Sequence, residues 1–404
     1  MKILIITEQQ PTAENNGGDI RTMNFVRYFS TIGEVDLYYR NSSNVIKKNP
    51  CRNIVALPQR KATYTSILLQ LLKNPLSFPA FIRKQYSDEM RIYLRELICR
   101  EKYDLVFVRY GDSVAYLRSL PGFIKKRTLI DLDNLLLGNL YKYYKIVTKY
   151  KIKKLIDDYQ LKNYEKICCE EFGQLILCSE EDRVRYLGRH ASIKDKKVSI
   201  VPNVIQVKSQ VTTRDEIAIN PIMLFVGTLE YRVNLEGLIW FINNMYSVYK
   251  EKYPSGQLWI VGRNRTNKPK LDAILETDRT IKLYQNVDDL APYYMQASFV
   301  IVPLLSGSGT RIKILEAALY NRPVISTLIG AEGIGLKNGE SVMIFENKDD
   351  FRNVLSQLSD RTNYSAIVQN ASRYISENYS LSKFNSSIND IVSRYHTSVW
   401  PTSV

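Results

Sequence analysis

Short apolar runs alternate with stretches of helical periodicity along the whole chain. In the first half the pattern predicts strands at 3–6, 35–39, 54–57, 105–108, 129–131, 175–178 and 198–201. Most of these runs are apolar at nearly every position rather than every second one. That suits strands buried on both faces, as in a parallel sheet covered by helices on each side. The stretch 205–221 interrupts the pattern: it is polar and β-poor, with Lys208, Ser209, Thr212, Thr213, Arg214 and Asp215, and it reads as an interdomain linker. A second set of strands is predicted at 223–226, 258–261, 281–284, 299–302, 324–326 and 342–345. The expected fold class is α/β, with two Rossmann-like doubly wound domains at 1–205 and 206–380. A third segment, 381–404, is helical by the spacing of Phe384, Ile388 and Ile391. Ligands of such sheets bind beyond the carboxyl ends of the strands, so two of them facing each other are expected to enclose one central cleft.

Composition agrees with two cores: 404 residues, 45% of them hydrophobic, exceed what a single core ordinarily holds. The five cysteines, Cys51, Cys99, Cys168, Cys169 and Cys178, have no metal-ligand spacing and read as buried free thiols of a reducing compartment. The start of the chain lacks the pattern of a signal peptide, and no apolar run reaches the ~18 residues that span a bilayer. The expected location is the cytoplasm, with the inner face of the cell membrane as an extension of it. The formal net charge of +15 bears on that extension. Lysines alternate with tyrosines between Leu140 and Lys154, and Tyr64 to Arg83 joins apolar residues to basic flanks, a composition suited to anionic surfaces. Ordinary amphipathic helices with their lysines in water are the competing reading.

The densest chemical signal lies between Val302 and Thr327. A strand runs into Gly307, Ser308 and Gly309, then Thr310, and then a helix carrying Ile312, Leu315 and Leu319. Glycines let a backbone approach a ligand, Thr310 is placed to cap the helix, and free N–H groups at a helix start attract anions. Arg311 and Lys313 add positive charge at the end where the helix dipole disfavours it, which a bound anion would offset.

The span Gly307 to Pro323 resembles the nucleotide-sugar site of GT-B glycosyltransferases of the family 4 type, the glycosyl transferases group 1. Further motifs fall in the family's order: Gly17-Gly18 after the first strand, Val201-Pro-Asn203, Leu224-Phe-Val-Gly227, Leu258-Trp-Ile-Val-Gly262, Asn286-Val287-Asp-Asp-Leu290 and Ala331-Glu332-Gly333. The resemblance implies a GT-B fold with an N-terminal acceptor-binding domain, a C-terminal nucleotide-sugar-binding domain and a final helix returning to the first. It implies a metal-independent, retaining hexosyltransferase with a nucleoside diphosphate sugar as co-substrate and no other cofactor. The acceptor is expected to be a glycan or a lipid-linked molecule of surface polysaccharide or glycoconjugate synthesis, with peripheral contact to anionic membrane and no nucleic acid partner.

On the residues, Glu316 takes the place of the family's ribose-binding glutamate, since a carboxylate suits two vicinal hydroxyl donors. The family's other glutamate falls at Ser308, and its two phosphate cations fall at Thr228 and Val233, with Arg232 beside them. Arg311 and Lys313 are therefore expected to hold the diphosphate from the other side. Gly18, Gly227, Gly262, Asn286 and Val287 complete the expected donor contacts. For catalysis Asp133 is the first choice and Asp131 the second, each also readable as a strand-end helix cap. Two rivals remain: a nucleotide-sugar epimerase of the same fold, and a basic scaffold binding membrane or nucleic acid.

Overall fold

The computed structural model describes residues 1–9, 17–41, 50–57, 79, 82, 86–132, 151–205, 221–266, 268–307 and 310–395. Two compact units emerge from the chain, Met1–Val204 together with residues from Phe384 onward, and Ile205–Lys383.

In the first unit β1 (Lys2–Gln9), β2 (Glu34–Asn41), β3 (Asn53–Ala56), β4 (Leu105–Arg109), β5 (Thr128–Asp131), β6 (Gln174–Leu177) and β7 (Val198–Ile200) pair in parallel. Their order is β3-β2-β1-β4-β5-β6-β7. Ile3, Leu4, Ile5 and Ile6 are all fully buried, which confirms that β1 is covered on both faces. Leu4 and Ile6 join a core with Tyr103, Val106 and Val108. On the opposite face the helix Gly17–Ile32 sets Phe25 and Phe29 on Phe107, with ring centroids 4.4 and 5.1 Å apart. The helix Leu381–Val392 brings Phe384 to 4.9 Å from Phe25, and Asn389 accepts a hydrogen bond from the Tyr28 hydroxyl. Truncating a buried ring of this kind costs about 3–5 kcal/mol, enough to hold the last helix on this unit.

The second unit repeats the plan. Here β8 (Ile222–Val226), β9 (Gln257–Gly262), β10 (Ile281–Gln285), β11 (Phe299–Val302), β12 (Val324–Ser326) and β13 (Met343–Ile344) pair in parallel in the order β10-β9-β8-β11-β12-β13. The strand order of each sheet reverses after its first strand, between β1 and β4 and between β8 and β11. A crevice opens at such a switch point beyond the strand ends.

Candidate donor site

The end of β8 is built for close approach. Gly227 donates its N–H to Val261 O at 3.0 Å, and a Cβ added to Gly262 would lie 2.0 Å from Gly227 O, so only glycine fits at the end of β9. A Cβ on Gly227 would in turn lie 2.9 Å from Asn234 Nδ2 and 3.0 Å from Lys313 Nζ. Asn234, in the first turn of the helix Arg232–Asn244, donates Nδ2 to Thr228 O at 3.0 Å and accepts Lys313 Nζ on Oδ1 at 3.0 Å. The same ammonium lies 4.8 Å from the centroid of the Phe225 ring. Burial, and next the neighbouring charge of Arg311, push the Lys313 amine down to about 7, against the pull of Glu316.

Lys313 and Glu316 stand on the helix Ile312–Leu319, which follows the Gly307 loop and buries Ile314, Leu315, Ala317 and Ala318. The Tyr294 hydroxyl donates to Glu316 Oε2 at 2.7 Å. Tyr294 is held by stacking on Tyr320, centroids 5.0 Å apart, and by Arg322, whose Nε and Nη2 each reach, at 2.8 Å, a carbonyl at the end of the short helix Ala291–Gln296: Tyr294 O and Met295 O. Burial raises the Glu316 carboxyl, while Tyr294 and Lys313 work against the rise. Among the described residues nothing donates to Glu316 Oε1, so one carboxylate oxygen is fixed and the other is open to a hydroxyl pair.

Gly227, Gly262, the Thr228 carbonyl, Lys313 and Glu316 are thus brought together. Other expectations need correction. Thr310 does not cap the helix: the N-cap is Arg311, without a side-chain cap, and Thr310 Oγ1 is buried with no hydrogen bond among the described residues. Arg311 and Lys313 stand near enough for their charges to oppose each other, but they take different partners. Arg311 is buried, and its Nη2 lies 3.1 Å from where a Gly307 Cβ would be and donates to Ile329 O at 3.3 Å, because the N-cap residue leaves the helix in another direction. Gly307 itself, at φ +135, has the backbone a glycine loop needs. Arg232 lies on an exposed helix face, 3.5 Å from Glu236. Asn286 spends its amide on the chain itself, accepting from Asn264 N at 3.1 Å and donating to Asn264 O at 3.2 Å. Val287 borders a separate cavity of about 520 Å³ with Trp259, Tyr284 and Tyr293. Ser308 and Gly309 lie outside the described residues.

In the first unit Gly18 O accepts Thr22 Oγ1 at 2.8 Å and Arg109 Nη2 at 3.2 Å, so the loop is tied down by its carbonyl. Asp131 is fully buried between two arginines. Arg21 Nη2 donates to Oδ1 at 2.5 Å, and Arg21 Nε and Arg109 Nη1 both donate to Oδ2. Arg21 also reaches Val201 O at 2.8 Å and Asn203 Oδ1 at 3.0 Å. Burial alone would raise the Asp131 carboxyl, but Arg21 and Arg109 hold it below its usual range. A carboxylate with both oxygens engaged and no exposure positions the strand ends, and the expectation of a catalytic Asp131 is withdrawn. Asp133 lies outside the described residues.

The strand orders and switch points give two Rossmann-like units, the plan of the GT-B fold. Two solved structures share the fold. Sucrose-phosphate synthase from Thermosynechococcus elongatus aligns with a TM-score of 0.71 at 17% identity, over 97% of this chain and 98% of that one. Anabaena HepE, solved in complex with UDP-glucose, aligns with a TM-score of 0.65 at 12% identity, over 98% and 100%. A Klebsiella pneumoniae relative, described as an uncharacterized 44.6 kDa protein in cps region, is 27% identical over 96% of this chain and 98% of its own. Residues 220–361 match the model of the glycosyl transferases group 1.

Proposed function

We propose that this glycosyltransferase moves a sugar from a nucleoside diphosphate sugar to a glycan or lipid-linked acceptor in the synthesis of a surface polysaccharide or glycoconjugate. The observation that carries the donor part is Glu316, fixed by Tyr294 on one oxygen and open on the other, three residues from a cation at the end of β8. An open carboxylate suits ribose hydroxyls, and an ammonium suits the diphosphate whose charge grows as the bond to the sugar breaks. That ammonium supplies what a divalent metal supplies elsewhere, which supports a metal-independent reaction. The retaining outcome rests on the family resemblance alone. HepE was solved with UDP-glucose, and the Klebsiella relative lies in a cps region; both support the assigned substrate class.

A cytoplasmic enzyme in peripheral contact with anionic membrane fits the exposed Leu155, Ile156 and Tyr159 on the helix Lys151–Glu170, next to the lysine- and tyrosine-rich stretch that precedes it. Most of the second basic stretch, between Tyr64 and Arg83, lies outside the described residues, and among those described no helix is long and apolar enough to cross a membrane.

The test is a panel of UDP, GDP and ADP sugars, offered with membrane glycolipid extract and followed by mass spectrometry. Sugar addition to a glycan or lipid with release of the nucleoside diphosphate is the expected result. Conversion of the donor without any acceptor product would support an epimerase instead.

A further inference from the structure

We propose that donor binding at this site is coupled to proton uptake by Lys313, which serves as the cation of the diphosphate in place of the two positions occupied by Thr228 and Val233. The proposal rests on the donor reading above and adds the residue and its protonation.

Lys313 is a cation with hydrogen-bonding capacity to spare at the end of β8. Lys313 Nζ has three protons to donate and one acceptor among the described residues, Asn234 Oδ1 at 3.0 Å. It reaches the end of β8 from a helix that begins on the far side of the β11 loop. The glycine there leaves its approach open: a Cβ at position 227 would stand 3.0 Å from the ammonium. Asn234 is itself fixed by its bond to Thr228 O, so it holds the amine at the strand end rather than following it. The groups around Nζ are few. Phe225 and the Gly227 backbone are uncharged, Asn234 comes from the facing helix, Arg311 stands on the Lys313 chain segment, and Glu316 with Tyr294 lies one turn on.

Arg311 opposes the charged form and Glu316 favours it, but Glu316 is partly committed to Tyr294. Burial outweighs both and brings the amine to about 7. A diphosphate arriving beside Nζ adds negative charge within contact distance, which favours the ammonium and raises its pKa. The sign follows. At pH 8 the neutral amine is favoured, so binding takes up a proton. At pH 6 the amine is already charged and little uptake remains. Affinity for the diphosphate therefore weakens as pH rises above 7, by up to about tenfold per unit while the bound form stays charged.

Calorimetry on the full chain with UDP, GDP and ADP tests this, in two buffers of different ionisation enthalpy at pH 8 and again at pH 6. The nucleotide that binds should show proton uptake at pH 8 and much less at pH 6. Lys313→Met should abolish the difference, weaken the diphosphate about 10- to 100-fold and leave the matching nucleoside unchanged. Comparing wild type with Lys313→Met removes the titration of the phosphate itself. Asn234→Ala, which frees the amine without removing it, should retain uptake while weakening affinity. Uptake that persists in Lys313→Met, or equal losses for nucleoside and diphosphate, would overturn the coupling while leaving the donor site standing. Failure of all three nucleotides to bind the wild-type chain would overturn the donor reading and the coupling together.

Discussion

Asp131, at the end of β5 in the first unit, and Glu316, beyond β11 in the second, are both carboxylates set in apolar surroundings, and their partners differ. Asp131 has both oxygens filled by Arg21 and Arg109, which in turn hold Val201 O, Asn203 and Gly18 O. Glu316 has Tyr294 on one oxygen, the Lys313 amine acting on it from one turn away, and a second oxygen with no donor among the described residues. Asp131 is held below the ordinary carboxylate range, whereas Glu316 is raised above it. A closed network of buried charge fixes backbone segments; a network with spare hydrogen-bonding capacity is ready for a ligand. The same type of sheet end therefore serves as a scaffold in one unit and as a candidate binding site in the other.

The contrast breaks most visibly if the closed network is opened. Asp131→Ala leaves two buried guanidinium groups facing each other, and removing one member of a buried ion pair costs about 3–5 kcal/mol. A large loss of thermal stability in the first unit is expected; a melting curve like that of the wild type would show that the arginines find other partners and that the network is not structural. A smaller effect is expected where backbones touch. Gly262→Ala places a methyl group 2.0 Å from Gly227 O, so β8 and β9 must part at their ends. Overpacking of this kind costs about 1–3 kcal/mol, and nucleotide affinity should fall with it. Denaturant unfolding with unchanged midpoint would mean that the two strand ends are not locked. The smallest effect belongs to Arg232. Its exposed pair with Glu236 is worth about 0.3–0.5 kcal/mol at most, and Arg232→Ala should leave nucleotide affinity as it was. A marked loss of affinity would place Arg232 in the site after all.

Most of the strands were legible because they are nearly uninterrupted apolar runs, and the GT-B fold followed from the order of short motifs. The placing of Gly227 and Gly262 at strand ends, and of Glu316 on the helix after the Gly307 loop, was legible for the same reason. What was not legible depends on contacts between distant positions. Asn234 meets Lys313 across 79 residues, and Tyr294 meets Glu316 across 22. Asp131 reads in sequence as an acid at a strand end, and nothing in its neighbours announces Arg21, 110 residues earlier. Arg311 and Lys313 read alike as basic residues near a helix start. The N-cap geometry of Arg311 sends one side chain toward Ile329 and leaves the other to reach β8.

The central claim is that the open carboxylate of the second unit holds the ribose of a nucleotide, and calorimetric titration of Glu316→Ala measures it most directly. With whichever of UDP, GDP and ADP the wild-type protein binds, the variant should lose about 1.5–3 kcal/mol of binding free energy, as for a hydrogen bond to a charged group, and the matching nucleoside should lose as much. Its melting temperature should stay close to that of the wild type, since Tyr294 remains held by Arg322 and Tyr320. Unchanged affinity in a folded variant would contradict the claim.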